Sequence, residues 1–166
     1  EKVIAIHLSS GLSGTYNMVR LQGLAREDLE VAVFDSLSGS LGIGITLLQV
    51  WEDIQSGRTW SDLVERRVPA LIRNTYPYFS VDTLEYLQKG GRIGKITALA
   101  GTVFNIKPLV GFAGDGQLSS VAKVRGRKAV QGKLLELLSA RAAEQRQGRR
   151  YNLAVANGGA PEEMET

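Results

Sequence analysis

Ser9-Ser10-Gly11-Leu12-Ser13-Gly14-Thr15 puts four hydroxyl side chains and two glycines into seven consecutive positions. Hydroxyls donate hydrogen bonds, and glycine lets a backbone N–H come close to a ligand. A stretch of this kind after a strand and before a helix suits an anion, because the helix start carries unpaired N–H groups and a favourable dipole. The lysine of a P-loop is absent, so a carboxylate or phosphate fits better than a nucleotide. The plainer reading is helix capping by Ser10 or Ser13.

Two further segments carry charge. Lys89-Gly90-Gly91-Arg92-Ile93-Gly94-Lys95 places three glycines and three cations in seven residues, and Arg92 has the fork geometry for a carboxylate or phosphate. The alternative there is a helix C-cap with exposed cations. Lys123-Val124-Arg125-Gly126-Arg127-Lys128 lies between a strand and a helix. It reads as a solvated surface or as a docking place for an acidic partner or a membrane head group.

No catalytic constellation accompanies them. His7 is the single histidine of the chain and sits inside an apolar run, so it reads as structural. Asp35-Ser36 has no histidine base near it in sequence. Asp82 and Glu85 form a possible carboxylate pair, but capping and surface exposure explain them. With no cysteine and one histidine there is no thiolate or histidine-ligated metal site and no disulfide framework. These features point to a binding protein rather than an enzyme, with neither cofactor nor metal.

The elements that must position these segments follow from hydrophobic pattern. Val3–Leu8 is a nearly continuous apolar run, the mark of a buried parallel strand. Met18, Val19, Leu21 and Leu24 suggest a helix, and Val31–Phe34 a second buried strand, giving a right-handed β-α-β unit. Leu41–Gln55 has helical spacing, Gly57 stops it, and Thr59–Asp62 matches a loose capping box. Pro69 is expected to kink or shorten the helix that follows.

Beyond Thr75-Tyr76-Pro77 the pattern changes. Tyr78–Val81 reads as a short strand, and Asp82 as the cap of a helix through Lys89. Ile96–Phe104 reads as another short helix. Lys107–Phe112 and Gln117–Val124 flank Gly114-Asp115-Gly116, an Asp-Gly hairpin signal. A helix is expected over Arg127–Gln145 with Leu134, Leu135, Leu137, Leu138 and Ala142 inward. Tyr151–Ala156 reads as a final strand, followed by an acidic helix start. The fold class is therefore α/β: an incomplete parallel β-α-β domain over 1–76, then an α+β domain with an antiparallel hairpin over 77–166.

The chain has 166 residues, 43% of them hydrophobic, with a net charge of +3. No apolar run approaches the ~20 residues of a membrane span, and Glu1-Lys2-Val3-Ile4 does not resemble a signal peptide. A cytoplasmic location is the expectation. The basic residues are dispersed, and neither a stacking platform nor a helix-turn-helix pattern supports nucleic-acid binding.

Three blocks together resemble the DegV family of bacterial fatty-acid-binding proteins: Ile6–Tyr16, Asp82–Lys95, and Asn105–Leu109 continued by Asp115-Gly116 and Lys123–Gly126. The resemblance implies a two-domain carrier protein with a long-chain fatty acid in a tunnel between its domains. It implies that Ser9, Ser10, Ser13, Gly14 and Thr15 lie at or near the carboxylate and that Arg92 meets it from the second domain. Arg125 is implied nearer the surface, in a region for partner or transient membrane contact. Some family members present the fatty acid to a separate kinase that makes an acyl phosphate, so a fatty acid kinase is an implied partner. The family's upstream Thr-Ser-Gln-Pro segment and downstream Gly-Thr-His segment have no counterpart here, and a fragment lacking both ends is expected. The alternative function is an enzyme acting on a small carboxylated or phosphorylated substrate.

Overall fold

The computed structural model describes residues 1–99, 106–144 and 151–159. β1 (Lys2–His7) and β2 (Glu30–Asp35) pair in parallel, from Lys2 opposite Glu30 to His7 opposite Asp35. The crossover is α1 (Thr15–Leu24), which lies against β2. Contact is close because Gly23 faces the sheet, where a Cβ would stand 3.1 Å from Val31 Cγ1.

α2 (Leu41–Gln55) follows β2. Thr59 then caps α3 (Trp60–Asp62), its side chain accepting from the Asp62 N–H as the capping pattern predicts. The chain next widens into a π turn over Leu63–Arg67, with Val68 N–H donating to Leu63 O, before α4 (Val68–Arg73). Pro69 stands in the first turn of α4, where its missing N–H does least harm. The expected kink thus takes the form of a π turn just before the proline.

Ile6, Val50 and Val68 form the core of this half, with Ile4, Phe34, Ile43, Leu71 and Ile72 packed around them. Asp53, 6% exposed, is buried at the end of α2 and receives both Arg58, at 3.1 Å, and Arg67. This charge cluster ties α2 to the π turn; its arginines remain partly exposed.

The second sheet is antiparallel, in the order β3-β4-β5: β3 (Phe79–Ser80), β4 (Ile106–Phe112) and β5 (Leu118–Arg125). A bulge between Leu109 and Val110 leaves Val121 as the extra residue of β5, beside Gly111, where a Cβ would come within 2.8 Å of the valine. The five-residue turn Ala113–Gln117 closes the hairpin, with Gly116 at φ +74°. α5 (Glu85–Lys89), a 3-10 turn over Gly94–Leu99 and α6 (Lys128–Glu144) complete this half. Its core is Ile96, Val110 and Leu118, with Phe79, Leu84, Leu87, Ile93, Phe112 and Leu12 around them.

Several expectations require correction. Asp82 does not cap α5: Leu84 is the cap residue and Thr83 Oγ1 accepts the Glu85 N–H. The Asp82 carboxylate instead takes Arg127 and Lys107, and a charged pair of donors outcompetes a lone backbone N–H. Leu135 and Ala142 of α6 face outward, Leu135 being 65% exposed, while Leu134, Leu137 and Leu138 are half-buried. Tyr151–Ala156 is not a strand but an exposed segment, held by Tyr151 Oη to Ala142 O at 2.6 Å and Asn152 Nδ2 to Gln49 Oε1 at 2.8 Å. Strand-forming residue types make a strand only where neighbours are present to pair with and pack against. The helix expected at Ile96–Phe104 is the 3-10 turn as far as 99; its remainder and the acidic helix start lie outside the described residues. Among the described residues no helix is long and apolar enough to cross a membrane.

Candidate functional site

The serine loop runs off the carboxyl end of β1 and into α1, the place where open parallel sheets hold ligands. Gly14 is the cap residue of α1, and no side-chain hydrogen bond caps the helix from that position. Ser13 Oγ accepts the Thr15 N–H at 3.3 Å and lies 2.8 Å from Thr15 Oγ1. Ser13 therefore tends the first helical N–H, as the capping reading expected, while Ser10 and Gly14 are exposed and Ser13 and Thr15 half-buried.

Ser9 is different. It is fully buried. Its hydroxyl donates to Gly116 O at 2.7 Å and accepts from Gly11 N–H at 3.2 Å. Its carbonyl accepts the Leu12 and Ser13 N–H groups at 3.0 and 3.1 Å, which closes the loop into a turn.

A second serine-rich loop stands beside the first, and sequence reasoning did not pick it out. Ser36-Leu37-Ser38-Gly39-Ser40 joins β2 to α2 at the same sheet edge. Ser9 N–H donates to Ser38 O at 2.9 Å. Asp35 Oδ1 receives both Ser10 N–H, at 3.1 Å, and Leu37 N–H, at 3.0 Å, so one carboxylate oxygen pins the two loops together. Leu37 and Ser40 both have positive φ, +48° and +49°, an uncommon backbone state for residues with a Cβ. Ser38 is buried and its Oγ has no hydrogen-bond partner among the described residues; a Cβ on Gly42, in the first turn of α2, would overlap that oxygen. The signal that could have found this loop was the parallel pairing itself, which sets the loops after β1 and β2 side by side.

The antiparallel half reaches the same place. Arg92 Nε donates to Leu12 O at 3.2 Å, while its Nη1 donates to Gly90 O at 2.5 Å. A guanidinium has five N–H donors, so the exposed Arg92 keeps donors over for an anion at the loop. Gly91, at φ +70°, turns the chain after α5 so that Arg92 points back. Lys95 pairs with Asp115 at 2.7 Å, and together with the Gln117 N–H it holds the Asp115 carboxyl below its ordinary range.

The structure thus brings Ser9, Ser10, Ser13, Gly14, Thr15 and Arg92 to one place. Arg125 is not among them. It is exposed at the end of β5 remote from the hairpin turn, about 23 Å along the strand from Leu118 at ~3.3 Å per residue. It borders a shallow hollow of about 190 Å³ lined by Ile106, Lys123, Val124 and Arg125. His7 Nε2 is buried and unpartnered among the described residues, and Asp35 has a backbone-holding role, so neither supplies a nucleophile–base pair. Among the described residues no group of three histidine, cysteine or carboxylate side chains is placed to hold a metal.

Comparison with known proteins agrees with this fold. The model of the DegV family, described as uncharacterised protein, matches residues 1–166. A DegV domain-containing protein of Clostridium acetobutylicum is 35% identical over 163 residues, which is 98% of this chain and 56% of that protein. A solved DegV family protein from Thermus thermophilus, described for its fatty acid binding, superposes with a TM-score of 0.78 at 32% identity, over 87% of this chain and 50% of the other. DegV of Bacillus subtilis, described as a fatty acid binding protein, gives a TM-score of 0.74 at 31% identity, over 87% and 51%. The chain spans about half the length of the relatives it matches, and with the family model matching from end to end it belongs to the DegV family.

Proposed function

We propose that this chain supplies the head-group site of a long-chain fatty-acid-binding protein, with the carboxylate received by the serine loop and by Arg92. The observation that carries the reading is the reach of Arg92 from the antiparallel half to Leu12 O, which sets a cation beside the hydroxyls of the loop. Similarity to fatty-acid-binding DegV proteins supports the choice of ligand.

Ser10, Ser13, Gly14 and Thr15 offer hydroxyl and backbone donors, and Arg92 offers charge. Magnitudes divide the labour between tail and head. Burying ~14 methylenes at ~0.8 kcal/mol each yields on the order of 11 kcal/mol gross, from which ordering and association subtract a large part. A hydrogen bond to the charged head adds about 1.5–3 kcal/mol. The tail supplies affinity; the loop and Arg92 supply orientation. The role is carriage rather than catalysis, with the fatty acid presented to a kinase and Arg125 on the surface such a partner meets.

The test is lipid extraction and mass spectrometry of the full-length protein, wild type and Arg92→Ala. Wild-type protein is expected to carry an acyl chain, and the variant to retain several-fold less. No acyl chain in the wild type, or equal retention in both, overturns the reading.

A further inference from the structure

We infer that the tip of the β4–β5 hairpin is a latch that sets the geometry of the serine loop, and that Ser9 and Gly116 are positioning residues for the head-group site rather than ligands of it. Ser9 is fully buried, and its hydroxyl is engaged on both sides: it donates to Gly116 O and accepts from Gly11 N–H. A buried hydroxyl with both functions satisfied inside the protein has little left for a carboxylate. What it does instead is join two segments 107 residues apart.

The fit at this junction has no slack. A Cβ on Gly11 would stand 2.5 Å from Gly116 C and 2.7 Å from Gln117 N, both backbone atoms that cannot move aside alone. A Cβ on Gly116 would overlap Ser9 Oγ, and the residue has φ +74°, where any side chain is strained. Gly94 makes the same kind of approach from the other side, at φ +55°, with a Cβ falling 2.7 Å from Leu118 O. Leu12 of the loop packs into the core formed by Ile96, Val110 and Leu118, and its carbonyl receives Arg92. Two glycines, one hydroxyl and one leucine thus seat the serine loop on the hairpin, and Gly94 seats its own turn beside them.

The consequence is positional. Ser10 and Ser13 immediately follow Ser9, and their direction depends on the turn that Ser9 closes through its carbonyl and hydroxyl. Pulling the hairpin tip away removes one support of that turn without touching any group offered to the ligand. Recognition of the head group, and not of the tail, then suffers.

This inference rests in part on the fatty acid reading, so the experiment has two arms. In the first, hydrogen exchange is measured in the full-length protein for wild type, Ser9→Ala and Gly116→Ala. Amides of residues 10–15 are expected to exchange about three- to tenfold faster in both variants, the loss of roughly one hydrogen bond, with α2 unchanged. Unchanged exchange in the loop overturns the latch whatever the wild type binds. In the second arm, binding of a fatty acid is compared with binding of the alcohol of the same chain length. The variants are expected to lose most of the wild-type preference for the acid while binding the alcohol as before. Equal loss for both molecules assigns Ser9 and Gly116 to general stability and overturns the positioning role. If Gly116→Ala does not fold, Ser9→Ala alone decides both arms, since it removes the bond and leaves the φ of residue 116 untouched. A wild type that binds neither molecule overturns the ligand reading while the first arm still decides the latch.

Discussion

The two sheets of this chain bury their apolar strands very differently. β4, between β3 and β5, is buried at four consecutive residues, Pro108 to Gly111, with Leu109 and Val110 wholly inaccessible. β1, whose sequence is just as apolar, is buried only at Ile6, half-buried at Val3 to Ala5 and His7 and exposed at Lys2, and no residue of β2 is fully buried. The helices beside the parallel pair share this state: Met18, Leu21 and Leu24 on α1 and Leu48, Trp51 and Ile54 on α2 are exposed. A parallel sheet is ordinarily covered on both faces, and two strands offer little surface for such cover to close on. The antiparallel half closes a core from its own elements and Leu12 of the serine loop, whereas the parallel half presents apolar surface. An apolar run in sequence states what a strand can bury, not what is present to bury it.

The contrast can be broken by mutation. Leu109→Ala is expected to cost the most, about 2–5 kcal/mol, read from denaturant unfolding; a cost below about 1 kcal/mol would show that β4 is not the better-packed strand. Ile6→Ala removes as large a side chain from the looser core, and a smaller cost of about 2 kcal/mol is expected because half-buried neighbours can close on the gap. A cost equal to that of Leu109→Ala would erase the distinction between the halves.

The next effect is pH-dependent and belongs to the antiparallel half. Asp82, beside Arg127 first and Lys107 second, has its carboxyl held below the ordinary value of 3.8. Its contribution to stability is present above that value and is lost as pH falls through the lower folded value. Asp82→Asn is expected to flatten the acid limb of the stability profile below about pH 5; an unchanged limb assigns acid sensitivity elsewhere, for instance to Asp28, which Arg26 holds at about 2. The smallest effect is expected for Leu48→Ala on the open face of α2, within about 0.5 kcal/mol. A cost above about 1 kcal/mol would mean that this face is covered in solution.

Much of this was legible in the sequence, for identifiable reasons. The β-α-β unit follows from two apolar runs with a helix between them, and the hairpin from Asp115-Gly116. The loop and Arg92 were legible as chemistry because hydroxyls, glycines and a cation stand out by type. Their meeting was not, since it depends on how the turn at Gly91 aims one side chain. Asp35 was visible as a carboxylate without a base, and its actual role, holding Ser10 and Leu37 N–H groups, needs the two strands side by side. Tyr151–Ala156 misled because residue types that suit a strand say nothing of whether a sheet edge is there to receive it. Asp82 misled because a capping residue and an ion-pair partner are the same carboxylate until Lys107 and Arg127 are in place.

The contact between Ser38 and the first turn of α2 has a consequence for descent. With the Ser38 hydroxyl lying where a Gly42 side chain would have to go, the two positions share one volume. A lineage can enlarge residue 42 only after residue 38 has shrunk, and the reverse order passes through an overpacked intermediate. Across DegV sequences a side chain at position 42 is therefore expected only where position 38 has lost its hydroxyl, as in an alanine or a glycine.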